Sequence, residues 1–124
     1  TYLMDICPTI CDLASIAAPK DADGKSLKPV MQGKQKELRD HVFATYAKFQ
    51  RAVRTRDYKL IEYNVNGMRT TQLFNVARDP WELRNLSSDP AQSKRVAAMR
   101  QMLSSDMAAV NDPSKLSDAN WQPM

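Results

Sequence analysis

The sequence predicts an α+β fold: a small antiparallel sheet of about four strands packed with a C-terminal helix, preceded by a helix that stands apart from them. Three observations carry this expectation. Between His41 and Val76, four short runs rich in β-branched and aromatic residues follow one another with only turn-sized gaps. After Asp89-Pro90, the residues Val96, Met99, Leu103, Met107 and Val110 recur three or four apart, the stripe of an amphipathic helix. Near the start, Ile6, Ile10, Leu13, Ala14 and Ala17 form a second stripe of the same period.

A chain of 124 residues can bury one modest core, as one domain or as a piece of something larger. Its 18 Lys and Arg against 14 Asp and Glu give a net charge of +4, short of the density of a dedicated nucleic-acid binder. No apolar run is long enough to cross a bilayer, and no basic start leads into a short apolar stretch, so neither membrane anchor nor signal peptide is read. Any targeting signal is expected upstream of Thr1, because the first residues run almost at once into the helical pattern.

The first helix is expected over Asp5 to Ala17, with Asp5 as N-cap and Pro8 in the first turn, where a missing N–H costs nothing. Ala17-Ala18-Pro19 ends it. Lys20 to Lys28 is polar with Asp23-Gly24 as a turn signal, and Pro29 to Gly33 suits one more helical turn. Residues 1–33 are thus helix plus loop, and the charged stretch 34–40 reads as a linker.

Residues 41–112 carry the sheet and its cover. Strands are expected over His41 to Tyr46, Gln50 to Thr55, Tyr58 to Val65 and Thr70 to Val76, separated by short turns at Arg56-Asp57 and at Asn66-Gly67, a strong hairpin dipeptide. In the third run, Leu60 and Glu62 face away from Lys59, Ile61 and Tyr63, so both faces of the sheet carry some apolar weight. The stripe from Val96 to Val110 supplies the cover, with Lys94, Arg95, Arg100 and Asp106 off it. Asn111-Asp112-Pro113 stops the helix, and 113–124 is a tail that Leu116 or Trp121 would have to dock.

Little in this chain resembles catalytic machinery. Cys7 and Cys11 lie one helical turn apart, about 5 to 6 Å between Cβ atoms, against the 3.5 to 4.5 Å of a disulfide. With His41 the only histidine and no further cysteine, they cannot complete a zinc site, and their spacing departs from the thioredoxin pattern, so both read as structural. His41 itself reads as a strand-start or interface residue, and three scattered glycines cannot build a phosphate loop. The densest stretch is FATYAKFQRAVRTRDYKLIEY, where Lys48, Arg51, Arg54, Arg56 and Lys59 alternate with Phe49, Tyr58 and Tyr63. It suits either a basic face for an anionic partner or a solvated sheet face whose long side chains cover apolar neighbours.

Four blocks, in order, give the chain a family resemblance. They are Asp5, Pro8, Thr9, Leu13 and Ala14; Asp23, Gly24, Ser26 and Leu27; Arg51, Val53, Arg54, Tyr58, Lys59, Leu60 and Ile61; and Leu73, Phe74, Asn75, Asp79, Pro80, Glu82, Asn85 and Leu86. Together they resemble the C-terminal part of type I sulfatases, in particular the glycosaminoglycan and sulfamate hydrolase branch. The resemblance implies that the first helix belongs to the layer of a catalytic α/β domain, and that the sheet and last helix form the subdomain packed beside it. It implies a parent enzyme that hydrolyses sulfate esters or sulfamates of carbohydrates, with a formylglycine nucleophile and a divalent cation, usually calcium.

Neither group is expected in this chain. The nucleophile arises from C/S-x-P-x-R, whereas Cys7 is followed directly by Pro8 with no arginine in place. Catalytic residues and metal ligands are therefore expected to be none here, and the chain alone to be inactive. Through the resemblance, Tyr46, Lys48, Gln50 and Arg51 become candidate substrate-binding residues, a stacking ring with donors for sugar hydroxyls or anionic groups. The plainer reading is that Arg51 and Arg54 pair with acids of the sheet or the partner domain. Expected partners are an N-terminal catalytic domain, a sulfated carbohydrate, and a second copy of the chain through the first helix; localisation by resemblance is periplasmic, secreted or lysosomal. A stand-alone basic module binding nucleic acid or another polyanion is the competing reading, weakened by the lack of an RNA-binding aromatic and glycine signature.

Overall fold

The polypeptide adopts, in a computed structural model that describes residues 1–114, two compact units, Thr1–Val42 and the chain from Phe43 onward. Leu116 and Trp121, expected to dock the tail, lie outside the described residues. No helix among the described residues is long and apolar enough to cross a membrane.

The first unit is held by polar residues. A short 3-10 turn, Leu3–Asp5, leads into α1, Ile6–Leu13, and a single-turn α2 spans Lys28–Met31. Asp5 occupies the N-cap position of α1 without making the capping bond that the sequence suggests. Its buried carboxylate instead accepts the backbone N–H groups of Tyr2 at 2.8 Å and Lys25 at 2.9 Å, and both Nη atoms of Arg39 at 2.8 Å. Thr9 Oγ1 donates to the Asp5 carbonyl at 2.6 Å and accepts from Leu27 N at 2.9 Å, while Asp12 receives Ser26 Oγ at 2.7 Å and Lys28 Nζ at 3.0 Å. Gly24 passes so close to this turn that a Cβ there would lie 2.0 Å from the Met4 carbonyl oxygen.

α1 ends earlier than the expected Ala17. Ser15 takes a left-handed conformation (φ 58°), Ile16 N–H bonds to Cys11 O and Ser15 N–H to Asp12 O, the paired bonds of a Schellman stop. Residues 34–40 hold no helix or strand, yet through Arg39 they are tied to Asp5.

The second unit is the α+β element expected. Strands β1 (His41–Tyr46), β2 (Gln50–Thr55), β3 (Lys59–Val65) and β4 (Met68–Phe74) form one sheet in the order β1-β2-β3-β4, with β2, β3 and β4 antiparallel in turn. β4 begins and ends two residues earlier than its sequence pattern. Asn66 (φ 52°) and Gly67 (φ 77°) make a two-residue turn in which Val65 already pairs with Met68. Beyond Phe74, Asn75 starts a turn, its carbonyl and side chain accepting from Asp79 N and Arg78 N.

α3, Ser93–Ala109, covers one face of the sheet. It is preceded by a 3-10 turn, Pro90–Gln92, whose Ala91 N–H is capped by Asp89 Oδ1 at 2.9 Å. Val96, Met99, Leu103 and Met107 pack on Val53, Leu60 and Leu73 as the main core. Val110, counted in the stripe from sequence, is exposed because the helix has ended and the chain has turned away. The opposite face of the sheet carries a smaller cluster of Ala52, Ile61, Phe74 and Val76.

Candidate functional site

The β1–β2 connection is three residues, Ala47, Lys48 and Phe49, closed by a Phe49 N–H to Tyr46 O bond of 3.2 Å. Ala47 sits at φ 43°, so the turn holds a backbone conformation that an alanine does not adopt by preference. Tyr46 and Lys48 are exposed, Gln50 is half-buried at the start of β2, and Lys48 Nζ lies 5.8 Å from the centroid of its neighbour Phe49. The turn and the end of α3 border a cavity of about 520 Å³, lined among others by Lys48, Phe49, Arg51, Val110 and Asp112.

Arg51 differs from the other three candidates. It is 5% exposed, and its guanidinium is wholly engaged inside the unit. Nε donates to Asp112 Oδ2 at 2.6 Å, Nη2 to Asp112 Oδ1 at 3.1 Å and Ser114 Oγ at 3.2 Å, and Nη1 to the carbonyls of Ala47 at 2.8 Å and Gln50 at 2.9 Å. A guanidinium has five N–H donors, and these five acceptors use them all. The structure thus groups Tyr46, Lys48 and Gln50 around the turn and sets Arg51 beneath it.

Burial raises the cost of charge at Asp112, but the Arg51 guanidinium and the Ser114 N–H outweigh it and hold its carboxyl below the usual range. Asp112 is the residue that sequence reasoning missed. Its place before Pro113 reads as a helix stop, and no local signal connects it to an arginine 61 positions away.

The remaining cations of the basic stretch are dispersed. Lys59 pairs with Glu82 at 2.8 Å, and Arg54 and Arg56 are exposed. The buried Glu62, opposite Arg51 across the β2–β3 ladder, accepts from Arg100 Nε at 2.6 Å and Thr71 Oγ1 at 2.9 Å. His41 opens β1, beside Asp40. Cys7 is exposed and Cys11 half-buried, both unoxidised; burial, and then the adjacent Cys7 thiol, pushes the Cys11 thiol up, away from the reactive thiolate.

Among the described residues no three of His, Cys, Asp and Glu come together as a cation site requires, and no stretch of the sequence reads C/S-x-P-x-R. The described residues do not fit a resident cation, the sequence does not fit a formylglycine, and no chemical step is assigned to either group here.

The family described as N-sulphoglucosamine sulphohydrolase, C-terminal, matches residues 2–111. A Delta 4,5-hexuronate-2-O-sulfatase of Bacteroides thetaiotaomicron is 37% identical over 109 residues, covering 81% of this chain and 22% of that protein. An uncharacterized protein of Haemophilus influenzae is 32% identical over 125 residues, covering 97% of this chain and 61% of its own length. Among solved structures, a 2-O GAG sulfatase superposes with a TM-score of 0.72 at 35% identity, over 87% of this chain and 25% of that one. A protein bound to its substrate D-glucosamine-2-N,6-O-disulfate gives 0.75 at 26% identity, over 88% and 24%. The chain therefore spans about a fifth to a quarter of the sulfatases it resembles. From Tyr2 to Asn111, sequence and fold agree, and the chain belongs to the N-sulphoglucosamine sulphohydrolase C-terminal domain family of sulfatases.

Proposed function

We propose that this chain is the C-terminal domain of a carbohydrate sulfatase, that it hydrolyses nothing by itself, and that its β1–β2 turn lines the substrate pocket of the whole enzyme. The parent reaction is hydrolysis of sulfate esters or sulfamates on sugars, with the formylglycine and divalent cation supplied by the preceding catalytic domain. In this reading Tyr46 offers a ring for a sugar face, Lys48 a cation for a sulfate or carboxylate, and Gln50 an amide for hydroxyls, with Arg51 holding them from behind. The observation that carries it is the contrast around the turn: Tyr46 is 69% exposed while Arg51 is 5% exposed and saturated, so a rigid base presents outward-facing polar and aromatic groups.

The test is Lys48→Ala with Gln50→Ala in the full-length enzyme, assayed on a panel of sulfated sugars that includes glucosamine 2-N,6-O-disulfate. Loss of a charge-assisted contact worth about 1.5 to 3 kcal/mol is expected to lower kcat/KM for the preferred sugar about 10- to 100-fold. Unchanged kinetics across the panel would refute the pocket role.

The exposed stripe of Leu3, Ile6, Ile10, Leu13 and Ile16 on and beside α1 supports the same reading. In place of the usual arrangement, the first unit buries Asp5 and Thr9 and turns its large aliphatic residues outward. A catalytic domain of the same polypeptide is the proposed cover.

A further inference from the structure

We propose that Asp112 is a positioning residue for the substrate turn: acting through Arg51, it holds Tyr46 to Gln50 in the single conformation that presents Lys48 and Tyr46. This rests on the reading that the turn meets substrate, and extends it to a residue outside the turn.

Arg51 Nη1 grips the turn directly, through the carbonyls of Ala47 and Gln50, the residues that bracket Lys48 and Phe49. Ala47 holds an unfavourable positive φ, so the turn needs an external hold to stay in this form. A guanidinium can supply that hold only if its own orientation is fixed. Asp112 fixes it by taking Nε and Nη2 together, a two-point contact that sets the plane of the group. Asp112 is in turn oriented by the Ser114 N–H at 2.9 Å and by the end of α3, where its own N–H bonds to Met107 O at 2.8 Å. The side chains of Arg51 and Asp112 are 6% and 5% exposed, so water does not readily replace either partner. A helix end packed on the core is thereby linked to the turn through one arginine.

The experiment uses the full-length enzyme with Asp112→Asn, which keeps the side-chain volume and one acceptor, and Asp112→Glu as the charge-retaining comparison. Two readouts separate the proposal from the reading beneath it. Limited trypsin digestion reports opening of the turn as cleavage after the exposed Lys48. Asp112→Asn is expected to speed that cleavage about tenfold relative to other tryptic sites, with Asp112→Glu recovering part of the protection. In kinetics, Asp112→Asn is expected to raise KM for the preferred sulfated sugar about three- to tenfold with little change in kcat, and to add nothing on a Lys48→Ala background. Unchanged cleavage after Lys48 overturns the proposal whatever the kinetics show. Faster cleavage with unchanged KM means that Asp112 holds a turn that does not meet substrate, which overturns the substrate role of both. A KM effect that persists in full on Lys48→Ala shows that Asp112 acts by another route.

Discussion

At the scale of single residues, the family blocks are structural fasteners. Asp5 closes four hydrogen bonds onto three separate segments, and although burial alone would raise its pKa, Arg39 with the Lys25 and Tyr2 N–H groups lowers it from 3.8 to about 2. The sign follows: a depressed carboxylate stabilises the fold above the unfolded value near 4 and loses that contribution as pH falls through about 2, an amount on the order of 2 kcal/mol. Acid titration followed by amide exchange is therefore expected to loosen the Thr1–Val42 unit between about pH 4 and pH 2, and Asp5→Asn to flatten that step. Gly24→Ala is expected to destabilise the same unit by roughly 1 to 3 kcal/mol in thermal melts, because its Cβ would meet backbone that cannot swing aside. The sequence made Asp5 legible as a helix-start residue from position and type. Its real partners were not, since a carboxylate that binds Lys25 and Arg39 leaves no periodic trace.

Elements were the most legible level. The strand runs, the Asn-Gly turn and the α3 stripe each carry a local signal, and the structure realises them within two residues. What the runs cannot show is how an edge is finished. β4 is an edge strand, and the segment after it closes the exposed side: Asn85 Oδ1 accepts Leu73 N at 3.0 Å, Ser87 Oγ donates to Thr71 O at 2.8 Å, and Leu86 N reaches Leu73 O at 2.8 Å. Upstream, Asp79 is held below the usual carboxylate range by the N–H groups of Arg84, Leu83 and Glu82, and Glu82, at φ 56°, pairs with Lys59. These contacts account for the Asp79, Glu82, Asn85 and Leu86 block. Asn85→Ala is expected to cost about 1 to 3 kcal/mol by denaturant titration, for the N–H of the buried Leu73 left unpaired. Leu103→Ala, at a fully buried site between α3 and the sheet, is expected to cost about 2 to 5 kcal/mol.

At the scale of the whole molecule, the distribution of surface and charge bears on the two readings made from sequence. Two of the five cations of the basic stretch, Arg51 and Lys59, are ion-paired within the chain and so withdrawn from a nucleic-acid face, while Lys48, Arg54 and Arg56 remain exposed. The aliphatic stripe of α1 points instead to a protein surface, and in the isolated chain it is expected to drive concentration-dependent self-association that Ile10→Glu abolishes in sedimentation. Family membership was legible because four blocks fall in order. The β1–β2 turn was legible as a location, from the strand pattern, but the burial of Arg51 beside an exposed Lys48 depended on Asp112, contributed from the far end of α3. The most direct test compares sulfate release from glucosamine 2-N,6-O-disulfate and related sugar sulfates by residues 1–124 alone and by the same chain joined to its upstream coding sequence. Release by the joined protein only is the result expected; release by the isolated chain, or by neither across the panel, would contradict the account.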